Sequence, residues 1–208
     1  MDVFGTYAAG FAEPSSCRYA QTIAPAGEPV TLAEAMAHCA LLDEFFGQYV
    51  HDLIQKARRT IERRIGRQFL PATWTHSVDA FPDEICLEIT PVTAVSQIVY
   101  VDYLGVTRTL PTDQYQVDIS SPDRPARIRP VWGLVWPITR VGTYNAVVTT
   151  FKAGYADAAA VPAPAKQAIL MLVAQWLKYR EPVAGEIVNQ VSIALDWALD
   201  AENPGVYV

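Results

Sequence analysis

The chain has 208 residues, 51% hydrophobic and 18% charged, with a formal net charge of −6. That length and apolar content predict one domain with a substantial core and exclude an intrinsically disordered chain. The net negative charge excludes a generic nucleic-acid binder, and no apolar run approaches the ~18 residues needed to span a bilayer.

Met1 to Pro29 is rich in Ala, Gly and Pro and has no clear period. It reads as an extended arm ordered by a partner, with a frayed terminus as the alternative. The N-terminus lacks the basic and apolar regions of a signal peptide. Cys17, Cys39 and Cys86 are odd in number and widely spaced, so neither a disulfide framework nor a zinc site is indicated, and a reducing compartment is expected.

Thr31-Leu-Ala-Glu34 is a capping box, which predicts a short helix from about Leu32 to about Ala40. The dominant element should be a long helix over Asp43 to Gly66. Its apolar residues, among them Phe46, Val50, Leu53, Ile54, Ala57 and Ile61, recur at three- and four-residue steps. Asp43 and Glu44 suit the positive end of the helix dipole, and Arg58, Arg59, Arg63 and Arg64 suit the other end. Gly66 supplies a left-handed stop. The other elements are expected to pack on this helix.

From Pro71 the period changes. Alternating or β-branched runs predict strands over Thr73–Val78, Ile85–Ile89, Val95–Val101, Val106–Leu110, Tyr115–Ile119, Ala126–Arg129 and Asn145–Lys152. Asp102-Tyr-Leu-Gly105 is the turn of a hairpin. Pro164 then opens a mostly apolar helix running to about Arg180, expected to be buried against the long one. In the tail, Ile187, Val191, Leu195 and Leu199 are spaced by four, as in a helix, although Gln190 to Leu195 also suits a strand.

The predicted class is therefore α+β: a helical core of three helices (about 31–40, 43–66 and 164–181) carrying one inserted small antiparallel β-sheet, or a barrel, over about 71–152. This domain, 30–182, lies between the arm, 1–29, and an acidic tail, 183–208. After Arg180 there are five acidic residues (Glu181, Glu186, Asp196, Asp200, Glu202) and no basic one. By contrast, six of the chain's 16 basic residues fall between Lys56 and Arg67, with Glu62 as the one acid among them. Opposite patches of this kind suit docking or self-association.

No phosphate loop, nucleophile elbow, H-E-x-x-H motif or ligand cluster is present, so no enzyme activity, metal or cofactor is expected. His38 and Cys39, like His51 and Asp52, are adjacent on a helix and diverge, and the three histidines, His38, His51 and His76, are far apart in the chain, so a surface or capping role is expected for them. Asp79, Asp83 and Glu84 surround a turn, where Asp is favoured for local reasons; acid–base work by them is the remote alternative. The flank of Lys56, Arg59 and Arg63, continued by Arg67, is a solvated face, a phosphate contact, or a dock for an acidic segment of a neighbouring subunit. Trp132 and Trp136 sit in a proline-rich loop and read equally as contact groups or local packing. Trp197 and Tyr207, in the tail, complete the interaction candidates.

Taken together, several segments resemble the head–tail connector, or adaptor, family of tailed bacteriophages and related gene-transfer particles. These are Thr31-Leu-Ala-Glu-Ala35 with His38, Ala57-Arg58 with Ile61-Glu62 and Gly66-Arg67, and Pro71-Ala-Thr-Trp74. Further along come Pro91-Val92 with Tyr100-Val-Asp102, Tyr115-Gln-Val-Asp118, and Phe151-Lys-Ala-Gly-Tyr155 with Val161-Pro-Ala-Pro164. The resemblance covers roughly Pro29 to Pro182 and rests on the order and spacing of these segments. It departs between the first two helices, where Cys39 to Phe46 is more apolar than in the family, and it leaves the arm and tail unmatched.

The resemblance implies a non-enzymatic virion protein of the neck, made in the host cytoplasm. It implies a ring of copies, usually twelve, beneath the portal protein, extending the DNA channel and docking a stopper or tail protein, without membrane contact. The alternative is a nucleic-acid-binding module using Lys56, Arg59 and Arg63.

Overall fold

The computed structural model of the chain describes residues 18–41 and 44–179. The first part of the arm and the acidic tail, with Trp197 and Tyr207, lie outside them. Among the described residues there are three helices and two antiparallel sheets, a mixed α+β fold.

Helix α1 spans Leu32–His38 and begins at the expected capping box: the Thr31 amide donates to Glu34 Oε2 at 2.7 Å and the Glu34 amide donates to Thr31 Oγ1 at 3.2 Å. Helix α2 spans Gly47–Ile65 and stops at Gly66 in the left-handed conformation, φ 66°. It starts later than Asp43 because Glu44–Phe46 form a 3-10 turn instead. Phe46, at the N-cap, offers no side-chain acceptor to the first amides of the helix. Helix α3 spans Ala163–Lys178, with Pro164 in its first turn. The helices share one core, in which Val50, Leu53 and Ile54 of α2 meet Ala168, Ile169 and Val173 of α3.

The β region differs from the expectation in two ways. First, part of the arm is a strand: β1, Arg18–Ile23, lies at the edge of a five-stranded sheet and pairs antiparallel with β2, Ala72–Val78. Most of its side chains are exposed. An edge strand that buries little has no period-two apolar pattern to read. Second, there are two sheets, not one. The larger contains β1, β2, β4 (Val92–Val101), β5 (Thr107–Thr109) and β8 (Val147–Ala153), in the order β1-β2-β8-β4-β5. The smaller contains β3 (Ile85–Leu87), β6 (Tyr115–Asp118) and β7 (Ala126–Pro130), in the order β3-β7-β6.

Residues of both sheets share a second core, which includes Val78, Phe151 and Ile98 from the larger and Ile85, Ile128 and Tyr115 from the smaller. The strands thus bury their apolar faces against each other, as in a sandwich, and do not lay them on α2 as expected.

The two cores meet at one joint. The Gln68 amide donates to Thr90 O, Thr90 N to Gly66 O, Gly154 N to Pro91 O and Tyr155 N to Phe69 O, at 2.8 to 3.2 Å. Gly154 has φ +122°, and a Cβ there would lie 2.4 Å from Leu70 O. Gly154→Ala therefore combines backbone strain with a clash against main chain that cannot yield. It is expected to cost about 2–4 kcal/mol, read as a lower urea midpoint.

Candidate functional site

The basic end of α2 divides into inward and outward cations. Arg58 is buried. Its Nε donates to Glu28 Oε2 at 2.7 Å and its Nη1 to Glu62 Oε2, also at 2.7 Å. The second oxygen of Glu62 accepts from the Phe69 amide at 2.9 Å and from Gln68 Nε2 at 2.7 Å. Gln68 Oε1 in turn accepts from Trp74 Nε1 at 3.1 Å and Gln21 Nε2 at 3.4 Å. Burial pushes the Glu62 carboxyl up; the Arg58 charge and the Phe69 amide pull against it. Arg67 is also buried, donating to Asp123 Oδ1 and the Tyr155 hydroxyl at 2.7 and 2.8 Å. Of the basic candidates, Arg67 alone is turned inward.

Lys56, Arg59 and Arg63 are exposed along the opposite flank. Among the described residues they have no acidic partner within ion-pair distance. Arg59 and Arg63 edge a cleft of about 550 Å³ between α2, β1 and β2, lined also by Tyr19, Gln68, Trp74 and Ile89. Sequence spacing had placed the three cations together. It gave no sign of the cleft, whose aromatic walls come from strands 40 residues to one side and from just past the helix on the other.

The aromatic loop, residues 131–146, joins β7 to β8. Here the two tryptophans separate. Trp136 stacks on Phe81, with ring centroids 4.8 Å apart and planes 9° apart, while Trp132 is 98% exposed. Val135, Val141 and Tyr144 stand out beside it at 88, 96 and 84% exposure. The loop is not loose: Arg140 N donates to Val101 O at 3.2 Å, and Asp102 and Thr139 form a bridge. That contact brings it to the β4–β5 hairpin, whose tip exposes Tyr103 and Leu104. The loop and the hairpin tip together expose a cluster of apolar side chains.

Asp102 holds the hairpin. It accepts from the Leu104 and Val106 amides at 2.9 Å each and from Arg108 Nε at 2.5 Å.

Asp79, Glu84 and His76 each have a local partner. Asp79 accepts from the Asn145 amide at 2.7 Å, and Glu84 pairs with Arg129. His76 is buried in β2 with its ring 4.7 Å from that of Tyr19, and burial pushes its imidazole below the usual range. Among the described residues no cluster of three or more His, Cys, Asp or Glu could hold a metal, and no helix is long and apolar enough to cross a membrane.

No protein-family model and no curated protein matches the sequence. Solved structures do match it. The fold is that of chains in gene transfer agent particles. A chain from the neck of an empty gene transfer agent particle, with C6 symmetry, superposes at a TM-score of 0.74 and 22% identity, over 92% of this chain and 97% of that one. One from the virion of the native particle gives 0.68 and 24%, over 86% and 93%. One from the neck of the native particle, with C12 symmetry, gives 0.65 and 22%, over 87% and 94%. The overall fold is therefore one that chains of gene transfer agent necks also adopt.

Two outcomes test the assignments of these side chains. Glu62→Ala strands Arg58 in the interior and is expected to cost about 3–5 kcal/mol in urea unfolding. Arg59→Gln combined with Arg63→Gln should stay within about 0.5 kcal/mol of the parent. For the hairpin, the hydrogen bond from Arg108 above all holds the Asp102 carboxyl below its ordinary range. Its stabilising contribution is intact above about pH 4, where a free Asp is already ionised, and is lost as the pH falls further. Asp102→Asn should therefore lower the thermal midpoint at pH 7, and the difference from the parent should shrink as the pH falls through the acid range.

Proposed function

We propose that this chain is a non-enzymatic structural subunit of a particle neck: a head–tail connector. Copies form a ring, of twelve in the particle, beneath the portal protein. The ring extends the channel through which packaged DNA passes and offers a docking surface to a stopper or tail protein. The chain is made in the host cytoplasm and resides in the virion.

The observation that carries this reading is the end-to-end correspondence of fold with neck chains, 92% of this chain against 97% of the other. The necks in question have C6 and C12 symmetry. A cyclic ring is built from heterologous contacts, in which one patch of each copy meets a different patch of the next. Two unlike exposed surfaces support that role, the cationic flank of α2 and the apolar loop of Trp132 and Val141. The loop is assigned here to the stopper or tail contact, because a large uncharged aromatic tip is the composition of an interface centre.

Negative-stain microscopy of purified protein, and of particles carrying a tagged copy, tests the reading. Rings or neck-located label are expected; a strict monomer absent from particles overturns it. In the same particles, Trp132→Ala with Val141→Ala should leave fold stability within about 0.5 kcal/mol and reduce stopper or tail attachment. Attachment at the parental level would remove the loop from that contact.

A further inference from the structure

The cleft beside Arg59 and Arg63 has an occupant-shaped chemistry. Its floor is already satisfied: Gln68 Oε1 takes hydrogen bonds from Trp74 and Gln21, and Gln68 Nε2 is donated to Glu62. Its walls carry the rings of Tyr19 and Trp74 and the side chain of Ile89. At its edge Arg59 and Arg63 stand exposed, one helical turn apart, without an acidic partner among the described residues. Glu88 is the exposed carboxylate lining the same cleft, and Glu62 is committed to Arg58. The cleft therefore asks for an aromatic or aliphatic group flanked by two carboxylates about one turn apart.

The chain contains such a segment. Asp196-Trp-Ala-Leu-Asp-Ala-Glu202 places Trp197 between Asp196 and Asp200, four residues apart, the spacing of Arg59 and Arg63. It belongs to the stretch after Arg180 that has five acids and no base. A cavity of about 550 Å³ is large enough for an indole ring.

We propose that this cleft receives the Asp196–Glu202 segment of a neighbouring copy, with Trp197 between Tyr19 and Trp74 and with Asp196 and Asp200 paired to Arg59 and Arg63. The neighbour is specified because the inference rests on the ring reading, in which one patch of each copy must meet a different patch of the next. Charge complementarity selects the acidic tail over DNA. The flank offers three cations beside an aromatic cleft, whereas a phosphate backbone is served by a longer basic track.

The test uses full-length Arg63→Lys protein, mixed as isotope-light and isotope-heavy copies, both purified and within particles. A zero-length carbodiimide reagent joins an ammonium to a carboxylate only where the two are in contact. Coupling of position 63 in a light copy to Asp196 or Asp200 in a heavy one is the expected result. It should fall about tenfold in 0.5 M salt, as for a solvent-edged ion pair.

A second measurement needs no coupling. Arg59→Glu/Arg63→Glu copies and Asp196→Arg/Asp200→Arg copies should each fail to associate alone, and should associate when mixed. Coupling only within one copy overturns the neighbour as occupant. Absence of coupling in both preparations, with rings still visible, overturns the inference and leaves the neck reading standing. Salt-steep DNA binding that is lost in Arg59→Glu/Arg63→Glu, without coupling, assigns the flank to nucleic acid and likewise overturns it.

Discussion

The buried chain of polar contacts from Glu28 through Arg58, Glu62 and Gln68 to Trp74 is the constraint on which the molecule turns. A guanidinium and a carboxylate removed from water each carry a penalty of several kcal/mol, and only good geometry with every remaining lone pair satisfied offsets it. Both are satisfied here, by groups from four different parts of the chain. The segment before α1, the body of α2, the turn after it and strand β2 must all be in place at once for the network to close. Such a requirement is a weak source of stability and a strong source of uniqueness. It agrees with the buried apolar stripe of α2, Val50 to Ile61, on which face of the helix turns inward. With Arg58 and Glu62 inward, Arg59 and Arg63 are directed outward at the mouth of the cleft.

The same network lies beside the joint between the two cores. Helices and sheets each bury their own apolar faces, and the halves are joined by main-chain contacts at residues 66–70, 88–92 and 153–155 together with the side-chain bonds of Gln68 to Trp74 and Arg67 to Asp123. Gly154 belongs to that joint because the backbones approach more closely there than any side chain allows. A subunit proposed to sit between two larger assemblies benefits from this arrangement.

The surfaces on the two halves differ in kind. The β half presents an uncharged tip, in which Trp132, Val135, Val141 and Tyr144 are held outward by a loop fastened to the β4–β5 hairpin. The helical half presents cations beside an aromatic cleft. Ionisable side chains do line the cleft, among them Arg59, Arg63 and Glu88, while Glu62 and Arg67 there are already paired with Arg58 and Asp123. Asp79 accepts the Asn145 amide with its Oδ1 at the base of the loop.

What could be read in the residues alone follows how local each signal is. The capping box at Thr31, the stripe and glycine stop of α2, Pro164 at the start of α3 and the alternation of β2 to β8 are short-range patterns, and each marked its element to within a few residues. Strand β1 escaped because an edge strand with most of its side chains in solvent carries no such pattern. The division of the strands into two sheets was hidden too, since alternation reports that one face is buried but not against what. The segment order was enough to suggest a connector resemblance, which the fold correspondence with neck chains supports. At the candidate surfaces, composition marked a basic flank and an aromatic loop but could not sort their members. Arg58 and Arg67 look no different from Arg59 and Arg63 along the chain, and Trp136 no different from Trp132. Which of them faces inward depends on Glu28, Asp123 and Phe81, partners 30 to 56 residues away. Sequence by itself determined the three helices and strands β2 to β8, because their physics spans one or two turns. Tertiary structure alone decided which charged and aromatic groups stay in solvent, because burial is settled by distant segments arriving at the same place.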